Sequence, residues 1–185
     1  MKFLKYFIAL LTTCLLVLFG YTQIKQSELD EQLFSAVRSG NVANVVKYIK
    51  QGASLSARDE AGQTPLHSAV YHGKSKIAQI LIKKGADVNI KDNRGGTPLH
   101  WAAVNKDPAN IKILIENGAK YNIYDKFDMT PLIWAVSENK PYNVRIMLDM
   151  GVDPSLKNSR GKTAYDYAKS KGRNNIMSLL RSARK

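Results

Sequence analysis

Cysteine is nearly missing: the 185-residue chain has one, Cys14, inside an apolar N-terminal stretch. If that stretch is removed no thiol remains, and a disulfide framework, a cysteine zinc site and a cysteine nucleophile are then excluded. Acidic residues are also few, 15 against 28 Lys and Arg, and the formal net charge is +13. Such a surplus points to an acidic protein, a nucleic acid or an anionic membrane surface, without choosing among them. Histidine occurs only three times. His67 and His72 lie five residues apart, which is not a one-face helical spacing for a metal. There is no glycine-rich phosphate loop, nucleophile–base constellation or carboxylate cluster. The sequence therefore predicts no catalysis, no cofactor and no metal.

Lys2 and Lys5 precede an uncharged apolar run from Phe7 to Phe19, and no acidic residue occurs before Glu28. This is the layout of a secretory signal. The run is short for a membrane span, which needs about 20 apolar residues. Residues 1–22 are read as a signal peptide, or as a signal anchor if uncleaved, because Leu18-Phe19-Gly20 and Gly20-Tyr21-Thr22 are poor small-x-small sites. In either case the basic start stays in the cytoplasm and the body lies outside. The expected location is periplasmic or secreted, with anchoring in the inner membrane as the alternative. Membrane contact is expected only through an uncleaved N-terminal segment.

Beyond that segment a period of 33 residues organises the chain. Thr64-Pro65-Leu66-His67 returns as Thr97-Pro98-Leu99-His100, as Thr130-Pro131-Leu132-Ile133 and, degraded, as Thr163-Ala164-Tyr165-Asp166. Alanine keeps the step at positions 36, 69, 102, 135 and 168, and glycine at 52, 85, 118 and 151. Each unit reads as helix, tight turn, helix and extended turn. A threonine caps the first helix, worth about 1 kcal/mol, and a proline takes its first position. A glycine ends the second helix. Lys106 and Asn139 stand where the inter-helix glycine belongs, and Asp128 replaces the one before the Thr-Pro turn. Asn and Asp tolerate positive φ, whereas Lys106 would cost about 1 kcal/mol there, so the third repeat is expected to rearrange locally.

Thr64-Pro65-Leu66-His67-Ser68-Ala69 and Gly85-Ala86-Asp87-Val88-Asn89 resemble the ankyrin repeat, with Gly118-Ala119-Lys120-Tyr121-Asn122 a looser copy. The resemblance covers about residues 26–185 as five units: 26–58, 59–91, 92–124, 125–157 and 158–185. It implies an all-α repeat solenoid of helix-turn-helix units with extended β-turn fingers. The outer units depart from the motif, as suits solvent-facing caps. It further implies that His67 and His100, beside Thr64, Thr97 and Thr130, have structural roles, each histidine tying adjacent turns by a hydrogen bond.

The resemblance also implies a protein-binding function on a concave face. By register that face should carry Tyr71, His72, Lys91, Arg94, Asn105, Tyr124, Lys126, Phe127, Met129, Glu138, Lys157, Arg160 and Lys162. Tyr124, Phe127 and Met129 have no core role in this register, and aromatic or methionine anchors among basic residues suit a protein interface. Trp101 and Trp134 read as half-buried filler that extends the aromatic strip if their edges reach the surface. The expected ligand is an acidic protein bound by a monomer. Nucleic acid is excluded by export and by a groove without dense interleaved arginines. Small exported bacterial proteins of this kind include immunity proteins that inhibit a toxin and accessory proteins of envelope enzymes such as catalases, and the chain is similar to both in layout.

Overall fold

Helices of seven to nine residues do not persist alone in water, so each must be held between neighbours. The computed structural model describes residues 2–183. Most side chains before Thr22, including Lys2, Lys5 and Cys14 of the signal reading, lie outside the described residues. The helices are α1 (Lys2–Ser39), α2 (Val42–Lys50), α3 (Pro65–Tyr71), α4 (Ser75–Lys83), α5 (Pro98–Val104), α6 (Ala109–Glu116), α7 (Pro131–Ser137), α8 (Pro141–Asp149), α9 (Ala164–Ser170) and α10 (Asn174–Ser182). One uninterrupted helix, α1, joins the segment read as a signal to the first repeat. Among the described residues no helix is long and apolar enough to cross a membrane.

The helices form two rows. The C-terminal part of α1 begins an inner row in which α3, α5, α7 and α9 pack in succession, and α2, α4, α6, α8 and α10 form the outer row. Ala69, Ala102, Ala135 and Ala168 are fully buried along the inner row. Their small side chains let consecutive helices approach closely. Leu66, Leu99 and Leu132 with Leu81, Leu114 and Met147 fill the space between the rows. The result is a one-dimensional stack in which each repeat covers the apolar face of the next.

Thr64, Thr97, Thr130 and Thr163 all have extended backbone before their helix. The histidines close two of these starts: the Thr64 N–H donates to His67 Nδ1 at 3.1 Å, and Thr97 repeats this with His100. Nδ1 is thus the acceptor, so Nε2 carries the proton. That proton reaches the next repeat, His67 to the Gly96 carbonyl at 3.2 Å and His100 to Met129 at 3.1 Å.

Between the inner and outer helices the chain reverses through a left-handed residue: Gly40, Gly73, Asn139 and Gly172 all have positive φ. Two backbone bonds close each loop, as in Gly73 N to Val70 O and Lys74 N to Ala69 O. In the third repeat Lys106 does not take that conformation. Asn105 is extended instead, its N–H donates to Ala102 O, and the Asp107 N–H turns to the Asn105 carboxamide. The rearrangement is held from both sides. Asn105 donates to Tyr71 O at 2.6 Å, and Asn143 donates to Ala103 O and Asn105 O at 2.9 and 2.8 Å. Asp128, by contrast, accepts φ 62° and ties its carboxylate to Ser159 of the next finger.

Candidate partner-binding groove

The inner helices and the fingers between repeats line the candidate surface. Each finger turns on one residue of a further 33-step series: Asp59, Asp92, Asp125 and Asn158. The Asp92 Oδ1 accepts from the Arg94 and Gly96 N–H groups, and Asp125 Oδ1 from those of Phe127 and Met129. The second oxygen fixes an indole: Trp101 Nε1 donates to Asp92 at 2.9 Å and Trp134 to Asp125 at 2.7 Å. In the last finger the polarity reverses, and Asn158 Nδ2 donates to the Tyr167 hydroxyl, which stands at the indole position. These aspartates were not singled out by the sequence reading, although the period would have found them.

The fixed indoles build an aromatic ladder. Tyr71 meets Trp101 edge to face at 5.4 Å between centroids, and Trp101 meets Trp134 at 5.6 Å. Tyr71 is 52% exposed at one end, while both tryptophans are half-buried.

The fingers are joined through the position before each aspartate. Arg58 donates to Lys91 O, Lys91 Nζ to Tyr124 O, and the Tyr124 hydroxyl to Lys157 O at 2.8 Å. This corrects two expectations. Tyr124 is a half-buried strut between fingers rather than a free anchor, and Lys91, although exposed, is tethered. Met129 is a third correction, because it is half-buried against the core. The sequence register could not show the Lys91 and Tyr124 bonds, because each links residues 33 positions apart by side-chain reach.

The remaining candidates fall into two groups. Arg94, Lys126, Phe127, Lys157, Arg160 and Lys162 are exposed on the fingers, with Phe127 57% exposed. Tyr71, His72 and Asn105 meet at a recess of about 600 Å³ beside the inter-helix loops. Glu138 caps α7 and is exposed. At the N-terminal end, a wider recess of about 1070 Å³ between α1 and the first finger gathers Asp30, Glu31, Asp59 and Glu60 beside Arg38 and Arg58. These carboxylates line one open recess and share it with two guanidinium groups. Among the described residues no set of His, Cys, Asp and Glu could hold a metal ion.

Burial pushes the pKa of His67 below the usual histidine value, and that of His100 to about 4, against the opposing pull of the carbonyl each one bonds. Both imidazoles are thus neutral struts at physiological pH.

A stack of helix pairs with fingers over an inner-helix floor defines a repeat solenoid with a concave face. The chain matches the family of ankyrin repeats (3 copies) over residues 33–125 and 106–185. It belongs to that family, whose arrays are protein–protein interaction modules. It is 39% identical over 61 residues to acyl-CoA-binding domain-containing protein 2 of Arabidopsis thaliana, covering 32% of this chain and 17% of that protein. It is 49% identical over 47 residues to protein phosphatase 1 regulatory subunit 27 of Homo sapiens, covering 25% of this chain and 30% of that protein. The chain thus spans less than a third of the length of either relative.

Proposed function

We propose that this chain acts by binding rather than catalysis, capturing an acidic protein segment in its groove outside the cytoplasm. One observation carries the reading. The finger carboxylates Asp92 and Asp125 are buried and occupied by backbone N–H groups and indoles. Arg94, Lys126, Lys157, Arg160 and Lys162 are exposed on the second to fourth fingers together with Phe127, and they outnumber the exposed carboxylates there, Asp87 and Asp153. The fingers therefore carry a surplus of exposed cations, and Phe127 offers an aromatic anchor among them. Location in the cell envelope rests on Lys2, Lys5 and the apolar run after them. The regulatory role in the name of the phosphatase relative is consistent with an array that acts on another protein.

The test is capture from the organism's envelope extract on the immobilised full-length chain, beside a Lys126→Glu, Phe127→Ala, Arg160→Glu variant. Tyr124 is left intact because it holds the fingers together. One dominant protein, weakened at least about tenfold by the variant, supports the reading. A toxin bound one to one would assign the role of an immunity protein, and an envelope enzyme such as a catalase the supporting role. Acidic proteins retained equally by both chains would sink the groove assignment.

A further inference from the structure

The 600 Å³ recess lies where the repeat pattern breaks. Lys106 replaces the loop glycine, the loop gives up its left-handed closure, and Asn105 becomes extended. A regular closure at this point would have needed only a glycine. The loop is nevertheless held firmly, by Tyr71 O on one side and Asn143 on the other. The altered segment contributes Asn105, Lys106 and Asp107 to the wall, α3 and α5 contribute Tyr71 and Trp101, and the next repeat contributes Lys140. Asp107, the one carboxylate there, already accepts the Ala109 N–H at 3.0 Å. Neither the Lys106 nor the Lys140 ammonium has a hydrogen-bond partner among the described residues.

We infer that this recess is the specificity pocket of the groove, and that it takes an apolar side chain followed by a carboxylate within one linear segment of the protein partner. The apolar side chain would lie on Tyr71 and Trp101, whose edge-to-face packing presents a rigid apolar step. The carboxylate would sit between the ammonium groups of Lys106 and Lys140. Charge complementarity selects this occupant: two cations face one carboxylate that is already engaged, in a recess with an aromatic floor. The inference rests on the acidic-partner reading but names a site that reading does not need.

The test uses two capped synthetic peptides, Gly-Phe-Glu-Gly and Gly-Phe-Gln-Gly, titrated into the full-length chain while its two indole N–H signals are followed by NMR. The Trp101 signal is expected to move saturably and that of Trp134 less. The glutamate peptide should bind at least fivefold tighter than its glutamine counterpart. A Lys106→Ala, Lys140→Ala chain should lose that preference. Lys140→Ala alone, which leaves the altered loop intact, should reduce it. An unmoved Trp101 signal, equal binding of both peptides, or an undiminished preference in both variants overturns the pocket. If the pocket fails while partner capture still depends on Lys126 and Phe127, the groove reading stands. Loss of that dependence as well would remove both.

Discussion

Asn110 and Asn143 occupy the same position one repeat apart and meet opposite circumstances. Asn143 satisfies the carbonyl of Ala103, which the altered loop leaves without its usual closure, and that of Asn105 as well. Asn110 stands by the same step over the loop at Gly73, whose N–H already serves Val70 O. Its carboxamide is fully buried with no partner for either polar atom. Asn143→Leu should therefore cost about 2–3 kcal/mol by stranding buried acceptors. Asn110→Ile, the residue type found at positions 77 and 176, should gain about 1–2 kcal/mol by removing an unpaired amide. Urea midpoints at unchanged slope would measure both, and equal losses in the two variants would refute the account. The histidines add a pH dependence. The folded pKa of His100 is about 4 against 6.5 when unfolded, so the unfolded chain binds the proton first on acidification. Stability is fully present above pH 6.5 and is lost as pH falls from there toward 4, by about 2 kcal/mol at pH 5 from this residue. His100→Asn should be less stable at pH 7 and should lose less between pH 7 and pH 5, as read by denaturant titration at each pH.

At the scale of the element, the helices and their ends were legible because they obey local rules. Thr-Pro starts a helix, a left-handed glycine ends one, and a lysine in the glycine's place forces a different loop. All of these act within a few residues, so a single sequence displays them. The fingers were less legible because their order depends on side chains reaching across a whole repeat. Nothing next to Tyr124 in sequence shows that its hydroxyl bonds Lys157 O, nor anything next to Arg58 that its guanidinium bonds Lys91 O. Tyr124→Phe distinguishes strut from anchor. It should cost less than about 1 kcal/mol, since the bond is partly exposed, while partner affinity changes less than twofold. Phe127→Ala should leave stability unchanged and weaken the partner about tenfold or more. A calorimetric titration with the reverse ranking would return Tyr124 to the binding set.

For the whole molecule, the open matter is where the array begins, since α1 continues without a break from Lys2 to Ser39. A continuous helix does not make its whole length part of the folded body. The buried residues of α1 among those described are Leu33, Phe34, Ala36 and Val37, with Leu29 packed partly against them. Ahead of Leu29, Gln26 donates to Gly52 O in the turn after α2 at 3.2 Å, an exposed bond. In a linear stack stability is the sum of each repeat and its interfaces, and the buried face that α1 gives to that sum begins near Leu29. A chain beginning at Gln23 should therefore melt within about 2 °C of the full-length chain, less than a 1 kcal/mol loss would produce. A chain beginning at Ala36 loses Leu33 and Phe34 from the face of α3 and should melt at least about 5 °C lower, exposing the next repeat as an imperfect cap. If removal of residues 1–22 lowered the melting point as much as the longer truncation, the N-terminal part of α1 would belong to the solenoid. The proposed boundary between residues 1–22 and the repeat array would then have to be redrawn.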